Sequence, residues 1–83
     1  MHQGMPLQTN GRELRRRREL QAMTLTEFAR QSGYSVTHVC QVELGNNNAG
    51  PRFLRSAARI LACEIADITV HPDHAASDER ASA

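Results

Sequence analysis

Val36, Thr37, Cys40 and Gln41 lie within one short stretch and offer contact chemistry rather than catalysis. The Gln41 amide donates and accepts at once, which suits the N6 and N7 edge of adenine. The methyl groups of Val36 and Thr37 suit the thymine methyl. Cys40 adds a small side chain beside them. A redox role for it would need a lowered thiol pKa, which nothing in the sequence supplies. Elsewhere the reactive residue types are scattered. No carboxylate pair, nucleophile–base set or phosphate-cradling loop stands in a plausible site, so no enzyme is expected. Cys40 and Cys63 are far apart and lack paired spacing. His71 and His74 flank Asp73 too loosely, beside a proline. No metal site and no cofactor are expected.

The charge distribution narrows the partner. All ten basic residues are arginine, and the formal net charge is +1. Residues 1–60 hold nine arginines against four acids, whereas residues 61–83 hold one against five. A basic body with an acidic end fits a negatively charged partner met by one face, or a set of ordinary solvated helix faces. The guanidinium fork suits phosphates and guanine edges. With 83 residues, no tryptophan, one tyrosine and two phenylalanines, the chain is one small domain. Its core must come from Leu, Ile, Val, Ala and Met, as in a compact helical bundle. No apolar run approaches the ~20 residues of a membrane span, and "MHQGMPLQTN" lacks the apolar segment of a signal peptide. A soluble cytoplasmic protein is expected.

The elements that must position these residues can be read from caps and periodicity. Residues 1–10 show no periodic pattern and are expected to form a flexible arm. A first helix starts near Gly11 and runs through "RELRRRRELQAM". Thr24 is an N-cap, Glu27 completes a capping box, and Met23 with Phe28 forms a hydrophobic staple. The second helix then runs from about Leu25 to Ser32, and Gly33 ends it. Ser35 caps a third helix from Val36, with Tyr34 and Val39 repeating the staple. Val39 and Val42 face inward, Val36, Thr37, Cys40, Gln41 and Leu44 face outward, and Gly45 closes the helix. Two helices joined by so short a glycine-containing turn cross steeply, which is a helix-turn-helix. After the polar loop "NNNAG", Pro51 opens a fourth helix with an inward stripe of Leu54, Ala57, Ala58 and Leu61. "ACEIADITV" can form a short fifth helix. Residues 71–83 have the composition of a disordered acidic tail.

The stretch "MTLTEFARQSGYSVTHVCQVELGNNN" resembles the helix-turn-helix of the phage repressor/Cro type, the Xre family. The match rests on Phe28-Ala29, the glycine four positions after Ala29, the valines at 39 and 42, and Glu43-Leu44-Gly45. It extends back to Gly11, Leu14 and Arg18 and forward through "LRSAARIL", covering residues 11–70. Leu25, Arg17 and Pro51 depart from the family pattern, where glutamine, an apolar residue and leucine are common.

The resemblance implies an all-α, five-helix bundle of the lambda-repressor-like type. It implies a sequence-specific regulator that reads the major groove with the helix at about 36–44, as a homodimer on a two-fold symmetric operator. Val36, Thr37, Cys40 and Gln41 would read bases. Thr24, Thr26, Ser35, His38, Asn46, Asn47, Asn48 and Arg52 would hold the DNA backbone. Ala29 and Gly33 would be structural, and Arg18 with Glu43 would form an ion pair linking the first and third helices. Ile65, Ile68 and Val70 would form the dimer contact. A partner protein could control activity. The alternative is a protein-interaction module binding a partner or a toxin, for which exposed Val36 and Leu44 would serve as an apolar strip.

Overall fold

The computed structural model describes residues 8–70. In chain order these form β1 (Gln8–Thr9), α1 (Gly11–Leu20), α2 (Leu25–Ser32), α3 (Val36–Leu44), α4 (Pro51–Leu61), a turn of 3-10 helix (Ile65–Ile68) and β2 (Thr69–Val70). The expected arm (residues 1–7 of it) and the acidic tail, with His71 and His74, lie outside the described residues. None of the helices described is long and apolar enough to cross a membrane.

The first three helices each begin on a side-chain cap that satisfies a backbone N–H left without a partner. The Asn10 side chain accepts from the Glu13 N–H at 3.1 Å. Thr24 Oγ1 accepts from the Glu27 N–H and Ser35 Oγ from the His38 N–H, each at 3.0 Å. Only half of the expected capping box forms at α2, because the Glu27 carboxylate turns to Arg30 and Gln31 instead. Pro51 takes the first turn of α4 behind Gly50, which has no side-chain cap. α2 and α3 end at Gly33 and Gly45, both left-handed at φ 82° and 85°, a conformation that costs other residues energy.

α1 stops at Leu20, short of the expected Met23. Ala22 turns left-handed there, and the Met23 carbonyl is taken by Arg18 Nη1 at 2.6 Å. The chain is thereby redirected so that Thr24 can cap α2.

Two further expectations are corrected. Among the described residues the fold has four α-helices, not five, and carries a small sheet. Glu64 and Asp67 bond reciprocally through backbone and side chain, which tightens residues 65–68 into a single 3-10 turn. The chain then leaves extended at Thr69. The end of the expected arm is ordered rather than loose: Gln8 pairs with Val70 and Thr9 with Thr69 in antiparallel register, and the Asn10 N–H donates to the Ile68 carbonyl at 2.9 Å.

The core is a single cluster in which Leu14, Phe28, Val39, Val42, Phe53 and Ile68 are fully buried. Leu54, Ala57, Ala58 and Leu61 face inward along α4. Leu25, at a position where the family favours glutamine, is partly buried against this cluster, as are Met23 and Tyr34.

Candidate nucleic-acid interface

The α2–turn–α3 unit rests on close approach. Ala29 is buried at 4% exposure, so a larger side chain there would push elements apart. Gly11 has no room for a side chain: a Cβ would collide with the carbonyl oxygens of Val42 and Glu43. The start of α1 is thus pressed against the backbone at the end of α3.

Across α3 the residues divide by face. Val39 and Val42 are fully buried. Val36 is 41% and Leu44 61% exposed, Thr37 is exposed, and Cys40 and Gln41 are half-buried. The expected base-reading residues therefore share the outer side of one helix. The orientation of α3 is locked from behind by Arg18, whose Nε and Nη2 bond Glu43 Oε2 and Oε1 at 2.7 and 3.1 Å. Both partners are almost wholly buried.

The residues expected on the DNA backbone part company. Thr24 and Ser35 serve as caps, though each hydroxyl keeps its proton to donate. Thr26 is exposed one position inside α2, and Arg52 is exposed at the start of α4. His38 is drawn into packing instead. Its ring stacks on Tyr34 at 5.1 Å and meets Phe53 edge-on at 5.6 Å, so it also supports the packing beneath the turn. Asn48 Oδ1 accepts from the Thr9 N–H at 3.0 Å, and Thr9 Oγ1 accepts from the Ala49 N–H at 3.2 Å. Asn48 accordingly ties the loop to β1. Asn47 is exposed in that loop. Asn46 donates through Nδ2 to Gln41 Oε1 at 2.8 Å, so it holds a base-reading candidate rather than standing apart from it. Ile68, expected at a dimer contact, is fully buried in the core and has no surface to offer. Ile65 and Val70 remain half-exposed.

The arginine run is largely neutralised within its own helix. Arg15 pairs with Glu19, and Arg16 and Arg17 both pair with Glu13. Hydrogen bonding from Arg16, supported by Arg17, lowers the Glu13 carboxyl from 4.5 to about 2. Among the described residues, Arg12, Arg52, Arg55 and Arg59 form no ion pair, and one charge of Arg16 and Arg17 is left over because both share Glu13. Burial pushes the Cys63 thiol up, away from reactivity.

With this geometry, the model of a helix-turn-helix domain family matches residues 11–68. The chain belongs to that helix-turn-helix family. Among curated proteins none matches significantly. Solved helix-turn-helix structures do. The restriction-modification controller protein C.AhdI from Aeromonas hydrophila is 26% identical with a TM-score of 0.66, over 69% of this chain and 86% of that one. The clp gene regulator ClgR from Corynebacterium glutamicum is 29% identical with a TM-score of 0.68, over 76% and 69%. SinR, a master regulator for biofilm formation solved in complex with DNA, has a TM-score of 0.64 over 68% and 90%, at 19% identity, and shares the fold. By name these neighbours are a controller and regulators, and together with the family match they support DNA binding and transcription regulation by a helix-turn-helix domain of the Xre kind.

Four relationships in this helix-turn-helix domain escape sequence reasoning: Asn46 on Gln41, Asn48 on Thr9, the Tyr34–His38–Phe53 cluster, and the clash distance at Gly11. Only the first had a local signal. A left-handed glycine at the end of α3 folds the next residue back over its last turn, which puts Asn46 near Gln41.

Proposed function

We propose that the chain is a sequence-specific DNA-binding transcriptional regulator that lays α3 in the major groove and acts as a homodimer on a two-fold symmetric operator. The observation that carries this reading is the division of α3. One side is locked to the core by Val39, Val42 and the Arg18–Glu43 pair, while Val36, Thr37, Cys40 and Gln41 share the open side. Base reading needs side chains of this kind held in fixed register. Thr24, Thr26, Ser35, Asn47 and Arg52 supply the phosphate contacts, with Arg52 the charged member, in no ion pair among the described residues. One domain gives a small interface, and a dimer on half-sites one helical turn apart supplies the rest. Ile65 supports a dimer surface at this edge: it lines an apolar groove of about 440 Å³ with Ala49, Pro51 and Leu54.

The second reading, a protein-interaction module, is favoured by one observation, the 61% exposure of Leu44 at the end of α3. Selection from randomised duplexes separates the two. The first reading expects enrichment of a two-fold symmetric sequence. Val36→Ala and Gln41→Ala should change the preferred bases, whereas Arg52→Ala should weaken all sequences alike and reduce the salt slope by about 1. No enrichment at low salt would favour the second.

A further inference from the structure

α4 carries a stripe of charge with no counter-charge of its own. Arg52, Arg55 and Arg59 are exposed and follow one another at intervals of three and four. That spacing sets them within about 60° along one face, over a length of about 10 Å. None of the three forms an ion pair among the described residues. No acid stands in the first turn of α4. Arg52 therefore adds positive charge to the end of the helix that is already positive, and the three guanidinium groups repel one another. α1 shows the contrast, since its run Arg15, Arg16, Arg17 and Arg18 pairs with Glu13, Glu19 and Glu43.

The acids able to balance the stripe come later in the chain. Glu64 and Asp67 cap the 3-10 turn and form no ion pair among the described residues. Residues 71–83 hold Asp73, Asp78 and Glu79 against Arg80 alone. The fold delivers this segment close to α4. Ile65 shares the walls of the apolar groove with Pro51, Leu54 and Arg55. Val70 follows Ile65 by one 3-10 turn and two extended residues, at most about 13 Å of chain. Thr69 pairs with Thr9, which in turn bonds to Asn48 and Ala49 just ahead of α4. From Val70, Asp73 has a reach of about 10 Å and Glu79 of about 30 Å. Asp73 and Asp78 can stand up to about 17 Å apart, enough to cover the stripe from one end to the other.

We propose that the acidic segment 71–83 folds back along α4 and pairs with Arg55 and Arg59, where it competes with a DNA phosphate for the Arg52 end of the stripe. The segment is then a brake on DNA binding carried by the chain itself. The contact stands on charge and reach alone, whereas its effect on DNA rests on the proposed DNA-binding function. Exposed ion pairs are individually weak and screened by salt, so the brake yields to a strand of densely spaced phosphates.

The test compares the full chain with D73N/D78N/E79Q, R55Q/R59Q and all five substitutions together, at pH 7.5 and low salt. Arg55 and Arg59 are exposed, and thermal melts check that the variants keep the fold. The contact is read by NMR from the backbone and Nε–H signals of Arg55 and Arg59. These signals should move on neutralising the three acids, and about 0.5 M salt should move them the same way in the unaltered chain. The brake is read from the affinity for a mixed-sequence duplex. Neutralising the acids should raise that affinity about fivefold, the scale of a strong surface pair. In the R55Q/R59Q background the same change should raise it less than about twofold, because the segment has lost its anchors. An equal gain in both backgrounds is a general charge effect and overturns the brake. Unmoved Arg55 and Arg59 signals overturn the contact while leaving the DNA-binding reading intact. Signals that move only as the chain is concentrated place a second copy on the stripe and overturn the intrachain assignment. No duplex binding by any of the four proteins overturns the DNA-binding reading and the brake with it, and the NMR signals still decide the contact.

Discussion

Arg18 and Glu43, 25 positions apart, meet in a two-pronged ion pair that joins the first helix to the back of the third. Arg18 also donates to the Met23 carbonyl, so one guanidinium holds α1, the turn before α2, and α3 together. Removing either partner would leave an uncompensated buried charge. Glu43→Ala should cost about 3–5 kcal/mol, most of the stability of so small a domain. Paired replacement by Arg18→Met and Glu43→Leu should recover much of that loss, as apolar substitutes for buried pairs often do. Chemical denaturation of the three variants checks this, and an unaltered midpoint for Glu43→Ala would remove the pair from the account.

Gly11 should tolerate no side chain. A methyl group there meets backbone carbonyls of α3 rather than flexible side-chain ends, so relief requires α1 and α3 to separate. Gly11→Ala should destabilise by about 1–3 kcal/mol, in the range of overpacked sites, against the usual gain from alanine in a helix. A rise in melting temperature would show that the first turn of α1 can shift.

Ala62 offers the opposite case. It ends α4 in left-handed conformation at φ 56°, where a Cβ carries a penalty that glycine lacks. Ala62→Gly should gain up to about 1 kcal/mol, reduced by glycine's greater freedom in the unfolded chain. For a domain of this size that gain is a rise of roughly 4–8 °C in Tm. A fall in Tm would mean that the methyl makes packing contacts worth more than the strain.

Glu13 should couple stability to acid. Its folded carboxyl titrates near 2 against an ordinary 4.5, chiefly through the hydrogen bond from Arg16. A depressed carboxyl contributes stability that is fully present above pH 4.5 and is lost as pH falls toward 2. Glu13→Gln should therefore lower Tm near neutral pH and flatten its decline across that window. Parallel Tm–pH curves for the two proteins would assign the acid sensitivity elsewhere, with Glu27, also lowered by its bond from Arg30, the next residue to test.

The helices were legible because their signals are local. Thr24, Ser35, Gly33, Gly45 and Pro51 each carry a conformational preference that holds before any packing forms. The valine spacing in α3 likewise separated its inner from its outer side. What escaped were relationships between segments. Composition alone made "ACEIADITV" helical, because alanine and isoleucine do not reveal that Glu64 and Asp67 will close a tight turn. Thr69 and Val70 became a strand because Gln8 and Thr9 supply a partner from the far end of the chain. The packing role of His38 stayed hidden because its aromatic neighbours, Tyr34 and Phe53, come from different elements.

The pairing of Gln8 with Val70 also fixes how the domain would respond to pulling. Segments entering at residue 8 and leaving at residue 70 emerge side by side, at the open end of a two-residue antiparallel ladder. Tension applied through both would load the hydrogen bonds one after another, as in unzipping, rather than all at once. The sheet would part at low force, and Thr9, a member of that ladder, would pass the strain through its bonds to Asn48 and Ala49 into the loop after α3.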